Sequence, residues 1–443
     1  MTDAMDPQTK NRPGPPTRGK GLLPGHWSPT DPDRQPIEGP LGQELWRRAD
    51  KVMPSMAMFL TRSSRFAGYN VLPGFIAEAE GCRVKDVDGR SYIDFSCSNG
   101  PSLLGYRHPE IEAAAAEQTA KGDGVPFFSP AMIELCERLL VWTNGFDWVI
   151  PVKRGSDATE LAMRVARVRT QRPDILLFKF SYHGSNKEQS IFFEGVPQDG
   201  TAHTPRLAWN DAAALDDLPD DQARQVAAIL MSPLDQNSGI PCTFPTPDFI
   251  AAIHRFRERT GALIILDDVR AGFRLHPKGS HNAIDLEPDM LCLGKALGNG
   301  YTQAALLGAE QLRSSAEQIL YTSTTIFSAV CARAAIATID VYERIHAFDT
   351  MTRAGLRLIA GIEKAAAQHG QSIQFSGPPT HPTMLFAEDP HQAKAENFSH
   401  RAARLGACFH TREPWFLSAA HDDEAVDEAI DIAGRALATM PAP

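Results

Sequence analysis

Between residues 128 and 300, four short runs are apolar at nearly every position rather than at every second one: ILLFKF (175–180), VAAILMSP (226–233), ALIILDD (262–268) and MLCLG (290–294). A strand that is apolar on both faces must be covered on both faces, as in a parallel sheet held between helices. The intervening segments supply those helices: SPAMIELCERLLVWT, DATELAMRVARVRTQ (157–171) and TPDFIAAIHRFRERTG (246–261). The last has Thr246 as its N-cap and Pro247 at its first position, where a missing N–H does no harm. The fold class is therefore α/β, with a mostly parallel sheet between helix layers.

The flanks follow another rhythm. Residues 74–96 alternate around a DVDG turn and predict a small antiparallel sheet, and HPEIEAAAAEQTAKG (108–122) predicts a helix. Helical patterning begins near Leu41. Beyond about residue 330, helices (ARAAIATIDVYERI, DDEAVDEAIDIAGRALATM) mix with short expected strands (PTMLFAED, PWFLSAAH). This division predicts a flexible segment over 1–40, a large domain over 111–328, and a smaller α+β domain assembled from 41–110 and 329–443. A chain of 443 residues is too long for one compact core, which fits two domains.

Composition narrows the classes of function. The net charge of -10 comes without a basic stripe, which argues against a nucleic-acid partner. No run of about 18 apolar residues is present, so no membrane span is expected. The seven cysteines are dispersed with no C-x-x-C pair, and the N-terminus lacks an apolar h-region. Reduced thiols in a cytoplasmic protein are the expectation, with no metal site.

The sharpest chemistry lies at two strand ends. ALIILDDVRAGFR runs an apolar strand into Asp267 and Asp268, and DMLCLGKALGNG runs another into Gly294-Lys295 and a glycine-containing loop. Ligands of open α/β sheets bind outside the carboxyl ends of the strands. An acid and a lysine placed there suit pyridoxal phosphate (PLP). The lysine forms a Schiff base with the aldehyde and must be uncharged to do so, and burial lowers its pKa. The acid keeps the pyridine nitrogen protonated, so that the ring accepts electrons. Taken singly, Asp267 also reads as a turn cap and Lys295 as a surface residue.

A second motif is KRGSDATELAMRVAR (153–167), in which Gly155 and Ser156 precede a strong helix. A helix N-terminus presents free N–H groups to an anion such as phosphate; a plain helix cap is the alternative. In FKFSYHGS (178–185), Tyr182 offers a ring for stacking on a flat heterocycle, and His183 reads as a structural hydrogen-bonding histidine.

Together, LDDVRAGFR, LGKALGNG, RGSDAT and SYHGS resemble the class III aminotransferases of PLP fold type I. Within them the chain is most similar to the branch holding glutamate-1-semialdehyde 2,1-aminomutase and the amine transaminases. DVDGRSYIDF, GPSLLGYRHPEI and PWFLSAAH also belong to that branch. GSDAT, DDVRAGFR, FSAV and FLSAAH are shared with the fumonisin-detoxifying aminotransferases, which deaminate a long-chain amine. The resemblance covers residues 42 to about 440. It implies a seven-stranded-type sheet, PLP as cofactor, Lys295 as the Schiff-base lysine and Asp267 as the pyridine-nitrogen acid. It further implies Gly155 and Ser156 as the phosphate pair and Tyr182 as the stacking ring. Thr324 or Thr325 matches the threonine that reaches the neighbouring subunit's phosphate, which implies a homodimer with active sites at the interface.

Departures bear on the substrate. Arg154 stands where a small Ser or Asn is usual, Asp268 replaces Glu, and FSAV replaces an SGNP-like stretch. Ser232 stands where the family has a Glu that pairs with a substrate-site arginine, so any such arginine here is expected to lack that partner. Arg412, in HTREPWFL, is a candidate for binding a carboxylate, with a surface arginine as the alternative. The leading reading is transfer of an amino group from a bulky or long-chain amine to a 2-oxo acid such as pyruvate. The alternatives are an aminomutase, which needs no external acceptor, and a catalytically silent scaffold.

Overall fold

The computed structural model describes residues 37–53, 71–186, 206–236, 239–322, 324–390 and 392–441. The N-terminal segment expected to be flexible falls largely outside the described residues.

The chain contributes β1 (Ile76–Glu80), β2 (Arg83–Asp86), β3 (Ser91–Asp94), β4 (Trp148–Val152), β5 (Asp174–Phe178), β6 (Arg206–Leu207) and β7 (Val226–Met231). It continues with β8 (Leu263–Asp267), β9 (Met290–Leu293), β10 (Ala304–Gly308), β11 (Ile373–Ser376), β12 (Thr383–Phe386) and β13 (Ala407–Cys408). The main sheet has seven strands in the order β4-β10-β9-β8-β7-β5-β6. β6, β5, β7, β8 and β9 run parallel, and β10 is antiparallel to both β9 and β4. The carboxyl ends of β4, β5, β7, β8 and β9 therefore share one edge.

Every residue of β7, β8 and β9 is buried, which explains their unbroken apolar runs. Ile265, Leu230 and Cys292 pack with the helix Gly155–Thr170 on one face, and Leu266, Ile229 and Leu293 pack in the larger core on the other. One face of β8 buried in full contributes on the order of 1.5–3 kcal/mol per large side chain.

The second sheet joins distant parts of the sequence. β1, β2 and β3 form the antiparallel meander, with the DVDG turn between β2 and β3, and β13 adds parallel to β3.

Five strands, β4, β6, β10, β11 and β13, have no counterpart in the sequence reading, and two of them show why. β4 contains Pro151, which demotes a run; it is tolerated because β4 is the sheet's edge, with β10 as its one neighbour among the described residues. β10, AALLG, is short and rich in alanine, a poor strand former. In the opposite direction, PWFLSAAH is not a strand. Its amides are drawn to several partners: Trp415 to Pro382 O, Phe416 to Phe95 O, Leu417 to Thr380 O and Ala419 to Leu103 O. The segment is extended and buried, but it ties separate loops together instead of joining a ladder. Among the described residues no helix is long and apolar enough to cross a membrane, and all seven cysteines are free thiols.

Candidate active site

Asp267 is the last residue of β8 and is 7% exposed. Its Oδ2 lies 2.7 Å from Nδ1 of the buried His183, and its Oδ1 accepts the Val269 N–H at 3.1 Å. A carboxylate can only accept while ionised, so His183 carries its proton on Nδ1 and faces the acid with it. Asp268 points elsewhere. Its Oδ2 accepts the Ser280 N–H at 2.9 Å, and burial raises its carboxyl to about 7.

Lys295 follows β9 through Gly294 and opens a short 3-10 turn over Lys295–Gly298. Its φ is +43°, in the left-handed region that a residue with a Cβ enters at a cost of roughly 1–2 kcal/mol. Strain of this kind clusters at functional sites. Burial lowers the Lys295 amine from 10.5 to about 7; repulsion from Arg270 adds to this, and Glu413 and Asp267 oppose it.

Glycines let three strand-end loops meet at this point. A Cβ on Gly155 would sit 2.6 Å from Val269 Cγ1, so this close approach requires glycine. A Cβ on Gly294 would lie 3.3 Å from the same Val269 and 3.7 Å from the Gly155 Cα. The loop after β4, the acid's loop and the lysine's loop are thus in mutual contact.

Gly155 and Ser156 are the first two residues of the helix Gly155–Thr170. The cap is made by Asp157, which accepts the Arg154 N–H at 3.0 Å and draws the Arg154 guanidinium to 2.6 Å. Arg154 is thereby turned onto the helix's own acid. The leading amides of this helix have no intrahelical acceptor and make an anion seat. Thr159, one turn on, donates to the His183 carbonyl at 2.8 Å and fixes the loop that carries Tyr182. The Tyr182 ring is 48% exposed, with its hydroxyl 3.1 Å from Ser185 Oγ.

These residues suit a phosphorylated pyridine aldehyde: an acid held by a histidine for the ring nitrogen, a desolvated amine for the aldehyde, and a helix start for the phosphate. Thr324 and Thr325 are exposed on a turn. With Lys153, Arg154, Asp157 and Ser328 they line a cavity of about 800 Å³ that neither Lys295 nor Asp267 lines. Lys153 Nζ is buried without a hydrogen-bond partner among the described residues.

Ser232 sits just past the carboxyl end of β7, half-buried. Ser232 offers no charge to an arginine, and the arginines here are met by acids from other segments. Arg412 is only 9% exposed, so it is no surface residue, and it pairs with Glu396 at 2.6 Å. The arginine whose charge bears most on Lys295 is Arg270, three residues past Asp267, and its acid is Glu413, 3.3 Å away. Nothing in the sequence links Arg270 to Glu413; the contact exists only because the C-terminal segment folds over the sheet edge. The pairing of His183 with Asp267 was likewise not foreseen.

The Aminotransferase class-III family profile matches residues 66–432. The aminopentol aminotransferase of Sphingopyxis macrogoltabida is 34% identical over 398 residues, covering 90% of this chain and 94% of that protein. The glutamate-1-semialdehyde 2,1-aminomutase of Dichelobacter nodosus is 30% identical over 416 residues, covering 87% and 96%. Among solved structures, the FumI protein of Sphingopyxis sp. MTA144 in its PLP form superposes with a TM-score of 0.85 at 33% identity, covering 90% of this chain and 96% of that one.

Proposed function

The chain belongs to the class III aminotransferases, which are PLP-dependent enzymes, and on that footing we propose that it moves an amino group from a bulky or long-chain primary amine to a 2-oxo acid such as pyruvate. Bound PLP supplies an aldehyde that takes up the amino group and a ring that accepts electrons from the substrate carbon. Lys295 Nζ holds the aldehyde at rest and carries the proton to and from the substrate carbon. An amine lowered to about 7 is free base often enough at neutral pH to do this. Asp267, held by His183, keeps the ring nitrogen protonated. Gly155 and Ser156 hold the phosphate, and Tyr182 covers the ring.

The observation that carries the substrate reading is an apolar cluster beside the threonines. Phe127 and Phe128 are 74% and 70% exposed, and Phe128 meets Phe327 edge-on at 5.2 Å. Phe327 is two residues from Thr325. Such a surface rewards burial of hydrocarbon at roughly 25 cal/mol per Å². It offers nothing to a small substrate whose charges must be paired when desolvated. The aminopentol aminotransferase relative supports the same reading. The enzyme acts as a homodimer in which Thr324 or Thr325 reaches the other subunit's phosphate; the exposure of both threonines supports this.

The test is a pair of assays on one preparation. Long-chain or aryl amines with pyruvate are expected to yield alanine, and glutamate-1-semialdehyde alone is expected to give little 5-aminolevulinate. Efficient 5-aminolevulinate formation without alanine refutes the proposal and makes the enzyme an aminomutase.

A further inference from the structure

The turn that carries Lys295 is held at its far end by an asparagine. Asn299 caps this 3-10 turn, its N–H donating to Ala296 O at 3.1 Å, and its φ of +45° is left-handed like that of Lys295. The Asn299 side chain reaches a distant loop. Its Oδ1 accepts the Leu104 N–H at 2.7 Å and its Nδ2 donates to Gly105 O at 2.9 Å, 195 and 194 positions earlier in the chain. Among the described residues, the turn makes no other hydrogen bond outside its own loop.

The loop on the other side of this clasp is itself anchored. Tyr106 exchanges two backbone bonds with Gly81, between β1 and β2, at 2.7 and 3.0 Å, and its hydroxyl donates to Asp94, the last residue of β3, at 2.6 Å. Leu103 O accepts the Ala419 N–H at 2.9 Å, and the Leu103 and Leu104 side chains are buried. Gly105 has a φ of +97°, and a Cβ on it would stand 2.6 Å from Ala420 Cβ. The second sheet and the C-terminal segment therefore hold the loop that Asn299 grips.

A turn with a left-handed residue at each end persists only where its surroundings over-determine it. Buried Ala296 and Leu297 hold its middle, and the clasp holds its end. Asparagine suits this position twice. It enters the left-handed region more readily than most residues with a Cβ, and its amide accepts and donates at once. We infer that Asn299 is a positioning residue for the reaction: its side chain ties the turn of Lys295 to the loop at Leu104 and Gly105, and so fixes where the lysine's amine stands.

This inference rests on the reading of Lys295 as the lysine that takes the cofactor. Misplacing a reacting group by about 1 Å costs on the order of 100-fold in rate. Without the clasp the end of the turn is free to swing outward, and the amine loses part of the burial that holds it at about 7. Substrate affinity is spared, because both polar atoms of the Asn299 amide are occupied by protein backbone.

The experiment frees the full chain of cofactor, adds PLP across a range of pH, and follows its capture by the rise of the visible band. Borohydride then fixes the captured cofactor for peptide mapping. Asn299→Gly keeps the left-handed backbone at no cost and removes both side-chain bonds. Its capture midpoint is expected to rise by about one pH unit, which slows capture at pH 7 by about fivefold through the loss of free amine. In the PLP-loaded enzyme kcat is expected to fall by about 10–100-fold while KM stays within about threefold. Tyr301→Phe is the control on the same loop; it removes only the hydroxyl bond to Glu112 at 2.9 Å and leaves the midpoint in place. If Asn299→Gly does not fold, Asn299→Asp replaces it, since it keeps the Leu104 bond and loses the donation to Gly105. It is read at about 1 M salt, where its added charge is screened beyond about 3 Å, and the same upward shift is expected. Capture on Lys295 with an unshifted midpoint, or an equal shift in Tyr301→Phe, overturns the inference alone. Cofactor fixed to another lysine in the wild type overturns the reading of Lys295 and the inference with it.

Discussion

Replacing Lys295 with methionine is expected to stabilise the cofactor-free protein, by an amount that shrinks as pH rises. In the folded chain the amine titrates near 7, against 10.5 for an ordinary lysine, and burial is the leading cause. Between these values the unfolded chain binds the proton that the folded chain has lost, so lysine's contribution to stability improves as pH increases. One unit of pKa difference is worth about 1.36 kcal/mol, so the lysine destabilises the fold by about 4 kcal/mol at pH 7 and about 2 kcal/mol at pH 9. Methionine has a similar length and carries no charge, and it removes this penalty at both pH values. Water entering the cofactor-free site returns part of the solvation, so the measured differences fall at or below these figures. The assay is urea unfolding of the apo forms of both proteins at one concentration, at pH 7 and at pH 9. Every other titrating group cancels in the difference between the two proteins. The expected result is a more stable Lys295→Met variant whose advantage falls by about 2 kcal/mol over that interval. A difference independent of pH, or a variant less stable at pH 7, shows that the lysine is not desolvated and removes the basis for its role as a free amine.

Two further outcomes follow from the same geometry. Asp267→Asn is expected to keep the cofactor and lose about 100-fold or more in kcat, because an amide cannot hold a full charge on the ring nitrogen. Asp268→Asn loses only a few-fold, since a carboxyl raised to about 7 is half neutral already and an amide oxygen still accepts the Ser280 N–H. The reverse order, read by kcat and by cofactor absorbance, refutes the assignment of Asp267. Light scattering at assay concentration is expected to show a dimer, and a fully active monomer excludes any role for Thr324 or Thr325 at a partner's phosphate.

The parallel sheet and both of its key strand ends were legible in the sequence because they depend on local facts. A strand buried on both faces is apolar throughout, and a polar residue that interrupts such a run at its end is placed by chain direction alone. Asp267 and Lys295 are of this kind, and Gly155 and Ser156 were legible as the start of a strong helix. The edge strand β4 was hidden because proline is excluded from strands in general yet tolerated at an edge, and edge position is a property of the whole sheet. PWFLSAAH has the composition of a strand, but its amides are committed to partners from three regions. The sequence singled out Asp267 over Asp268 but not what holds it: its partner is His183, 84 residues away in the chain. The same holds for the arginines. Arg412, conspicuous in the sequence, is closed by Glu396, whereas Arg270 acquires its acid from a segment 143 positions further on, since 413 − 270 = 143. Residue type and strand position set what each group is able to do; whether it meets a charge, a histidine or water depends on contacts between segments far apart in the chain, and no local pattern records those.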